Sequence, residues 1–470
     1  MLKIYEDSIN YTCQVIKLPN KVEVPGLNNL CKVSIFGNDC LIGADSDPEG
    51  LYLFFPAECK IDSEFLSANN LYRNSELNRD KTKKGFFEDN GRVKALKFKG
   101  IIGTGFICPI SFLSFLSDNK ISYRGGFLDL SNNGGFETKS FTIKVNDSVV
   151  SLVAGDEFNS IANINICSKY YNKLPEVPQT KKDRKIIDFI DDIMAPQHFD
   201  TEHLLKNCHR LKLDDYIAVT YKLHGTSARY FNTLVKRKLS LLERVCQFFG
   251  VKVQTEEYKV ICGSRKVLKS MNFETFEGKN HYYSEDLWSK VGKEYFEGKL
   301  NHGEAVYAEV IGRDYTGAAI QHGYTYRLDK PKVYIYRISN INSQGIEVDL
   351  SYSQMKERAI QLGLDICPEY FYGKLVDFIG KHISFPERTS LEYGLETVLN
   401  KIFFENGYKT PLLEQPSILD SSVVEEGFII RKDQYPKPLM LKIKSKSFLL
   451  HESNTKDNTQ HIDIEDDQSI

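Results

Sequence analysis

Short runs in which apolar and polar residues alternate, broken by Gly, Asn and Asp, fill the first 170 residues of this chain. "YTCQVIKL", "CKVSIFGNDCLIG", "LYLFFPAE", "RVKALKFKG" and "SVVSLVAG" each have the composition and length of a strand. Side chains alternate between the two faces of a strand, so such runs are stable only when paired, with one face buried. Their number and spacing predict a small barrel or sandwich over residues 1–170. Inside it, "LYRNSELNRDKTKKGFFEDNGR" is a long polar loop whose Lys and Arg suit phosphates, although a solvated loop is the simpler reading for any one residue.

The rest of the chain is mixed. "YYNKLPEVPQTKKDRK" carries Pro and charge and reads as a linker, followed by helical spacing in "RKIIDFIDDIM" that stops before Pro196. Together they make residues 171–197 a linker and helix. A short helix, "TEHLLKN", comes next, and strands dominate around Lys222, Val310, Tyr334, Phe428 and Leu441. The end, residues 451–470, is polar, acidic and aperiodic, and is expected to be a disordered tail.

Composition excludes several classes. A net charge of −2 is not that of a globally basic nucleic-acid binder, but it leaves room for a basic groove. Ten cysteines occur with no C-x-x-C pair and no His at zinc spacing, so the thiols are expected to be reduced, in a cytoplasmic setting. No segment approaches the length of a membrane span, and no membrane partner is expected. No G-x-x-x-x-G-K-[ST] loop is present, and "GIIGTGF" follows a strand with no helix after it, so a hairpin or bulge is expected there.

The chemistry concentrates in an ordered series of strand ends. In "VTYKLHGTSARYF", Lys222 closes an apolar run just before Gly225, where a glycine turn would carry its amine into a pocket rather than water. "ICGSRKV" ends in Ser264 and Arg265. "VYAEVIG" sets Glu309 among apolar neighbours, where a lone carboxylate is costly unless something binds it. "KVYIYRI" carries two aromatics, Tyr334 and Tyr336, on one face of a strand. "EEGFIIRK" puts Glu426 at the mouth of another. In "LMLKIKSKSF", Lys442 and Lys444 alternate with Leu441 and Ile443, so both lysines share a face.

That ordered set, over residues 198–450, resembles the covalent nucleotidyltransferase superfamily of ATP-dependent RNA and DNA ligases and mRNA capping enzymes. "KLHG" is similar to the nucleotidyl-lysine motif, and "SR", "AEVIG", "VYIYRI", "EEGFII" and "LKIKS" follow in the family's order. "FDTEHLLKN" and "GRDYTGAAIQHGYTY" also look like RNA-ligase sequence. Capping enzymes and most DNA ligases place an OB-fold domain after the fifth motif; here a β-rich domain precedes the first, which resembles RNA ligases with an N-terminal OB-like module.

The resemblance implies an α+β fold: ATP-grasp-like antiparallel sheets flanked by helices, preceded by a β-rich OB-like domain. It implies ATP with Mg2+ or Mn2+ as cofactors, and nicked or broken RNA as partner, handled by a monomer. Lys222 is the expected nucleophile, and its amine must fall well below its free value of about 10.4 to attack a phosphate. Lys442 and Lys444, crowded against it, would favour the neutral amine and then neutralise phosphate charge. Glu309 and Glu426 would hold metal waters or ribose hydroxyls, Arg265 ribose or phosphate, and Tyr336, with Tyr334 as the alternative, would stack on adenine. Two departures stand out: His224 replaces the aspartate of K-x-D-G, and "NTLVKRKLSLLERVCQFFGVKVQTEEY" is inserted between the first two motifs. The insert reads as a structural excursion. A DNA or mixed-nick ligase, or a nucleic-acid-binding protein that no longer turns over, remain the alternatives.

Overall fold

A computed structural model describes residues 1–117, 122–128, 137–145, 148–171, 190–275, 283, 286–383, 394–405 and 411–457. The chain divides into two compact units, one of Met1–Tyr171 with Ser445–Asn458, the other of Asn172–Lys444 with Thr459–Ile470.

The first unit is a set of small antiparallel sheets. Its central one pairs Gly105–Pro109, Leu51–Pro56, Cys13–Lys17 and Glu157–Phe158 in that order. The strands expected from the sequence are there, and Leu53, Phe55, Phe65, Leu113, Phe141 and Phe158 close the core beneath them. "GIIGTGF" is indeed strand: Ile101–Gly103 turns back on Leu96–Phe98, and Gly105 opens the next strand. The long polar loop is pinned from within. The Asn78 amide bonds both backbone groups of Tyr72 and the carbonyl of Lys83, at 2.9 Å each. Phe87 packs into the core while its neighbour Phe86 stays exposed.

The second unit is mixed α/β. Its elements, in chain order, are β1 (Tyr216–Lys222), β2 (Thr226–Lys236), α1 (Leu241–Phe248), β3 (Glu256–Ser264), β4 (Glu304–Ile311), β5 (Lys332–Ile341), α2 (Tyr352–Leu362), β6 (Glu369–Lys374), β7 (Gly427–Lys432) and β8 (Leu439–Lys444). β8, β7, β1 and β6 lie side by side, all antiparallel. β3, β2, β4 and β5 form the heart of a second antiparallel sheet. Helix α2 starts at a capping box, Ser351 with Gln354, stops at Gly363 with φ 72°, and buries Tyr352, Met355, Ala359 and Leu362.

Two expectations change. Residues 451–457 were expected in a disordered tail, but Lys446–Asp457 is a helix, α3, belonging to the first unit; residues 458–470 lie outside the described residues. Its polar composition misled because its partners are polar and buried. Glu58 accepts from Arg92 at 2.5 Å, from the Ser453 hydroxyl at 2.9 Å and from Lys456 at 3.1 Å. The linker and most of the helix expected over 171–197 lie outside the described residues, and Asp192–Met194 is a single 3-10 turn.

Breaking one partner of a buried ion pair strands the other, at a cost of about 3–5 kcal/mol. Arg92→Met should therefore lower unfolding stability by that order, read from denaturant melts of the full chain. Truncation after Ser445 should cost a comparable amount. Wild-type stability in both would mean that α3 is not holding this unit.

Candidate active site

Strand register builds the site before any side chain is considered. Lys222 on β1 pairs with Gly427 on β7, and Gly427 pairs with Lys444 on β8. The next row is Thr220, Ile429 and Lys442, and the third is Ala218, Arg431 and Met440. Side chains two apart share a face, so the lysines, Thr220, Ile429, Arg431 and Met440 all point one way. Gly427 sets no side chain between Lys222 and Lys444. A Cβ there would lie 2.0 Å from the Ile443 carbonyl oxygen, so only glycine fits.

Glu426, the residue before that glycine, meets both lysines. Its buried carboxylate meets Lys222 Nζ at 2.8 Å and Lys444 Nζ at 3.2 Å, with His224 Nδ1 at 3.9 Å from its other oxygen. Burial works to raise the Glu426 pKa, but Lys222 and then Lys444 hold it below the usual carboxylate value. This corrects the expectation of lysines crowded directly together: an anion bridges two of them. The depressed amine here is that of Lys442, not the Lys222 amine for which a depression was expected. Burial, reinforced by Lys444, brings the Lys442 amine down to about 7.

The second sheet supplies the opposite wall. Glu309 on β4 stands directly across from Ser227 on β2 and accepts the Gly225 N–H at 2.9 Å. The neighbouring acid Glu425 is pushed up to about 7, chiefly by burial. Gly225 is not in the left-handed region. Its requirement is closeness, since a Cβ would sit 2.3 Å from the Val310 carbonyl oxygen, and the expected glycine turn is corrected to a tight crossing of β4. The loop after β4 braces this crossing: Gln321 donates to the Gly225 carbonyl at 2.7 Å and the Tyr326 hydroxyl accepts the His224 N–H at 2.8 Å.

The two aromatics of β5 part company. Tyr307 pairs with Arg337 and the next residue, Ala308, with Ile335, so Tyr336 is the extra residue of a β-bulge. The bulge turns Tyr336 into the cleft beside Ile335, where its hydroxyl meets Ser227 Oγ at 2.8 Å. Tyr334 lies instead under the Lys332 amine, 4.8 Å from its ring centre. Strict alternation in "VYIYRI" hid this, because a bulge has no sequence signature of its own.

A cleft runs between the sheets, lined by Lys222, Arg265, Glu309 and Tyr336 among the expected residues. Lys442, Lys444 and Glu426 adjoin it through Lys222. Sequence reasoning missed much of the rest: His198, Ser227, Tyr352, Met355, Cys367 and Arg431 also line it. His198 packs edge-on to Tyr336, and burial, then Arg337 and Arg265, keep it neutral. Arg265 is ion-paired to Asp200. Buried Arg229 holds this upstream segment through the carbonyls of Ala195 and Pro196, at 3.1 Å each. An apolar-flanked arginine inside "TSARYF" was the available signal. Among the described residues, no three His, Cys, Asp or Glu side chains are grouped to cage a metal ion.

No family profile and no curated protein matches the chain. Solved structures do. A lysine-to-methionine variant of Naegleria gruberi RNA ligase with AMP and Mn aligns at TM-score 0.51 and 13% identity, over 93% of this chain and 97% of that one. A lysine-to-alanine variant of the same ligase with ATP and Mn gives 0.51 and 12%, over 97% and 99%. The ligase with PPi gives 0.50 and 13%, over 94% and 98%.

Gly427→Ala should force β7 and β8 apart and cost about 1–3 kcal/mol, as overpacking does. Denaturant melts check the cost. A variant as stable as the wild type would show that the row from Lys222 to Lys444 is not closely packed. Over nearly its whole length, this protein has the fold of the Naegleria gruberi RNA ligase structures.

Proposed function

We propose that the protein is an ATP-dependent RNA ligase that forms a lysyl-AMP intermediate on Lys222, passes AMP to an RNA 5′-phosphate and seals that end to a 3′-hydroxyl. The repair of nicked or broken RNA is the setting we infer. The observation that carries this reading is the row of Lys222, Glu426 and Lys444 beside side-chain-free Gly427, at the edge of a cleft lined by Arg265, Glu309 and Tyr336. An amine held against a second cation and a carboxylate, beside a pocket, is a nucleophile with its charge control in place.

Each residue has a part. Lys222 Nζ attacks the α-phosphate and the bond to pyrophosphate breaks, in line. Lys444 and Lys442 face the same volume and neutralise charge gathering on the phosphate. Tyr336, fixed by Ser227, offers its ring to adenine, and Arg265, held by Asp200, donates to ribose or phosphate. The acids fit a divalent cation that keeps its own waters: Glu309 accepts the Gly225 N–H and Glu426 meets Lys222, at the two ends of the same short connection, and no three-ligand cage exists among the described residues. Glu309 and Glu426 would hold Mg2+ or Mn2+ through those waters, and the cation would supply positive charge at the phosphate. His224 supplies no negative charge where the family has an aspartate, so the acids carry that part alone.

The first unit, with its exposed Lys81, Lys83 and Lys84 and exposed Phe86 and Phe98, is read as the OB-like RNA-binding module. RNA rather than DNA is favoured because the structures sharing the fold are RNA ligases.

Incubation with labelled ATP and Mg2+ or Mn2+ should leave AMP on the protein, and Lys222→Ala should abolish it while the fold survives. A labelled Lys222→Ala variant would refute the mechanism; an unlabelled wild type would favour an inactive binder. Alanine at Glu309 or Glu426 should slow labelling by orders of magnitude, since comparable contacts are each worth ~2.7–4 kcal/mol. Lys442 gives a pH test. With its amine near 7, it is mostly neutral at about pH 8, and a bound triphosphate must raise its pKa. ATP binding there should therefore take up protons, seen by calorimetry in buffers of different ionisation enthalpy, and Lys442→Met should remove the uptake.

A further inference from the structure

Helix α1, in the insert between the first two motifs, buries none of its residues. It is nevertheless well built, with a capping box in which Ser240 accepts from the Glu243 N–H and Glu243 accepts from the Ser240 N–H at 2.8 Å. Its exposed residues are not those of a solvated helix. Leu241 is 81% exposed, Leu242 78%, Phe248 85% and Phe249 75%, with Val245 between them. At 100° per residue these five fall on one arc, with Glu243 and Gln247 opposite.

The charge around that arc is one-sided. From Lys236 to Lys252 there are five basic residues and one acid, in a chain whose net charge is −2. The acid, Glu243, is already paired with Arg237, on the helix's polar side. Lys236, Lys238, Arg244 and Lys252 are exposed. An apolar stripe edged by lysine and arginine is the pattern of a helix that lies in the plane of a membrane surface, its apolar face among acyl chains and its cations at anionic headgroups. A second copy of the chain would set like charges against each other, and RNA would leave the leucines and phenylalanines unused.

We propose that α1 docks the protein on membranes carrying anionic phospholipid. This is compatible with the absence, among the described residues, of any helix long and apolar enough to cross a membrane, because an interfacial helix lies on the surface. The expectation of no membrane partner weighed spanning segments only. The position suits the task. β2 begins beside Gly225 and runs ten residues away to Lys236, roughly 33 Å at strand rise, so the helix stands at the end of the β2–β3 hairpin remote from Lys222. The inference does not depend on the ligase reading.

The test is co-sedimentation of the full chain with vesicles of phosphatidylcholine, alone or with phosphatidylserine. Binding is expected with phosphatidylserine and should weaken as salt is raised. Leu242→Glu with Phe248→Glu should weaken it by about tenfold or more, since two buried apolar side chains are lost. Lys236→Glu with Lys238→Glu should do the same without touching the apolar face. Both variants should melt like the wild type, as neither touches a buried group. Cys246 is the exposed one of ten free cysteines, so a polarity-sensitive dye there should shift to the blue on vesicles. Wild-type protein that ignores phosphatidylserine vesicles would overturn the proposal. So would undiminished binding by the Leu242→Glu, Phe248→Glu variant. A dimer, or RNA affinity, that the same variant abolishes while vesicle binding is absent would assign the helix to that other partner.

Discussion

The arrangement of charge at the cleft depends on two lysines standing on either side of a residue with no side chain. Across β1, β7 and β8 the register puts Gly427 between Lys222 and Lys444, and the backbone there is too close for any other residue. One carboxylate, that of Glu426 beside this glycine, reaches both amines. In a buried setting such an arrangement is stable only as a unit, because each charge removed from water is offset by the others. Burial, and then the charge of Lys444, explain why Lys442 is the amine whose proton is loosely held.

A second layer of buried polar groups fixes the geometry around this row. Arg337 binds Asp349 through two bonds of 2.6 and 2.8 Å and lies 4.3 Å from the ring centre of Tyr307. Arg229 holds the backbone at Ala195 and Pro196, from which His198 and Asp200 extend to Tyr336 and Arg265. Tyr324 and Tyr326, both buried, tie the loop after β4 to Val424 and His224. Arg229, His198 and Asp349 do not belong to the series of motifs. They set the positions of those that do, and a buried arginine makes a good clamp because its donors leave in fixed directions.

The two units are also joined through the chemistry by chain order alone. β8 carries Lys442 and Lys444, ends at Lys444, and the chain then enters the first unit as α3. Within the first unit that helix is held by the Arg92, Glu58 and Ser453 network. The first unit is therefore built from two separate stretches of the chain, Met1–Tyr171 and Ser445–Asn458.

The sequence by itself determined the strands, the order of the lysines and acids, and the shared face of Lys442 and Lys444, because alternation is a local property that each strand carries alone. It also showed which residues would be costly to bury unpaired, and Glu309 and Glu426 are both buried. What it could not determine were relations between distant segments. Glu426 bridging two lysines depends on a three-strand register, and the turning of Tyr336 depends on a bulge opposite Tyr307 and Ala308. The role of Gly225 depends on how near Val310 passes, and the helix in the supposed tail exists because Glu58, some 400 residues earlier in the chain, receives Ser453 and Lys456. Partners so far apart in sequence leave no periodicity to read; only closure of the sheets brings them within bonding distance.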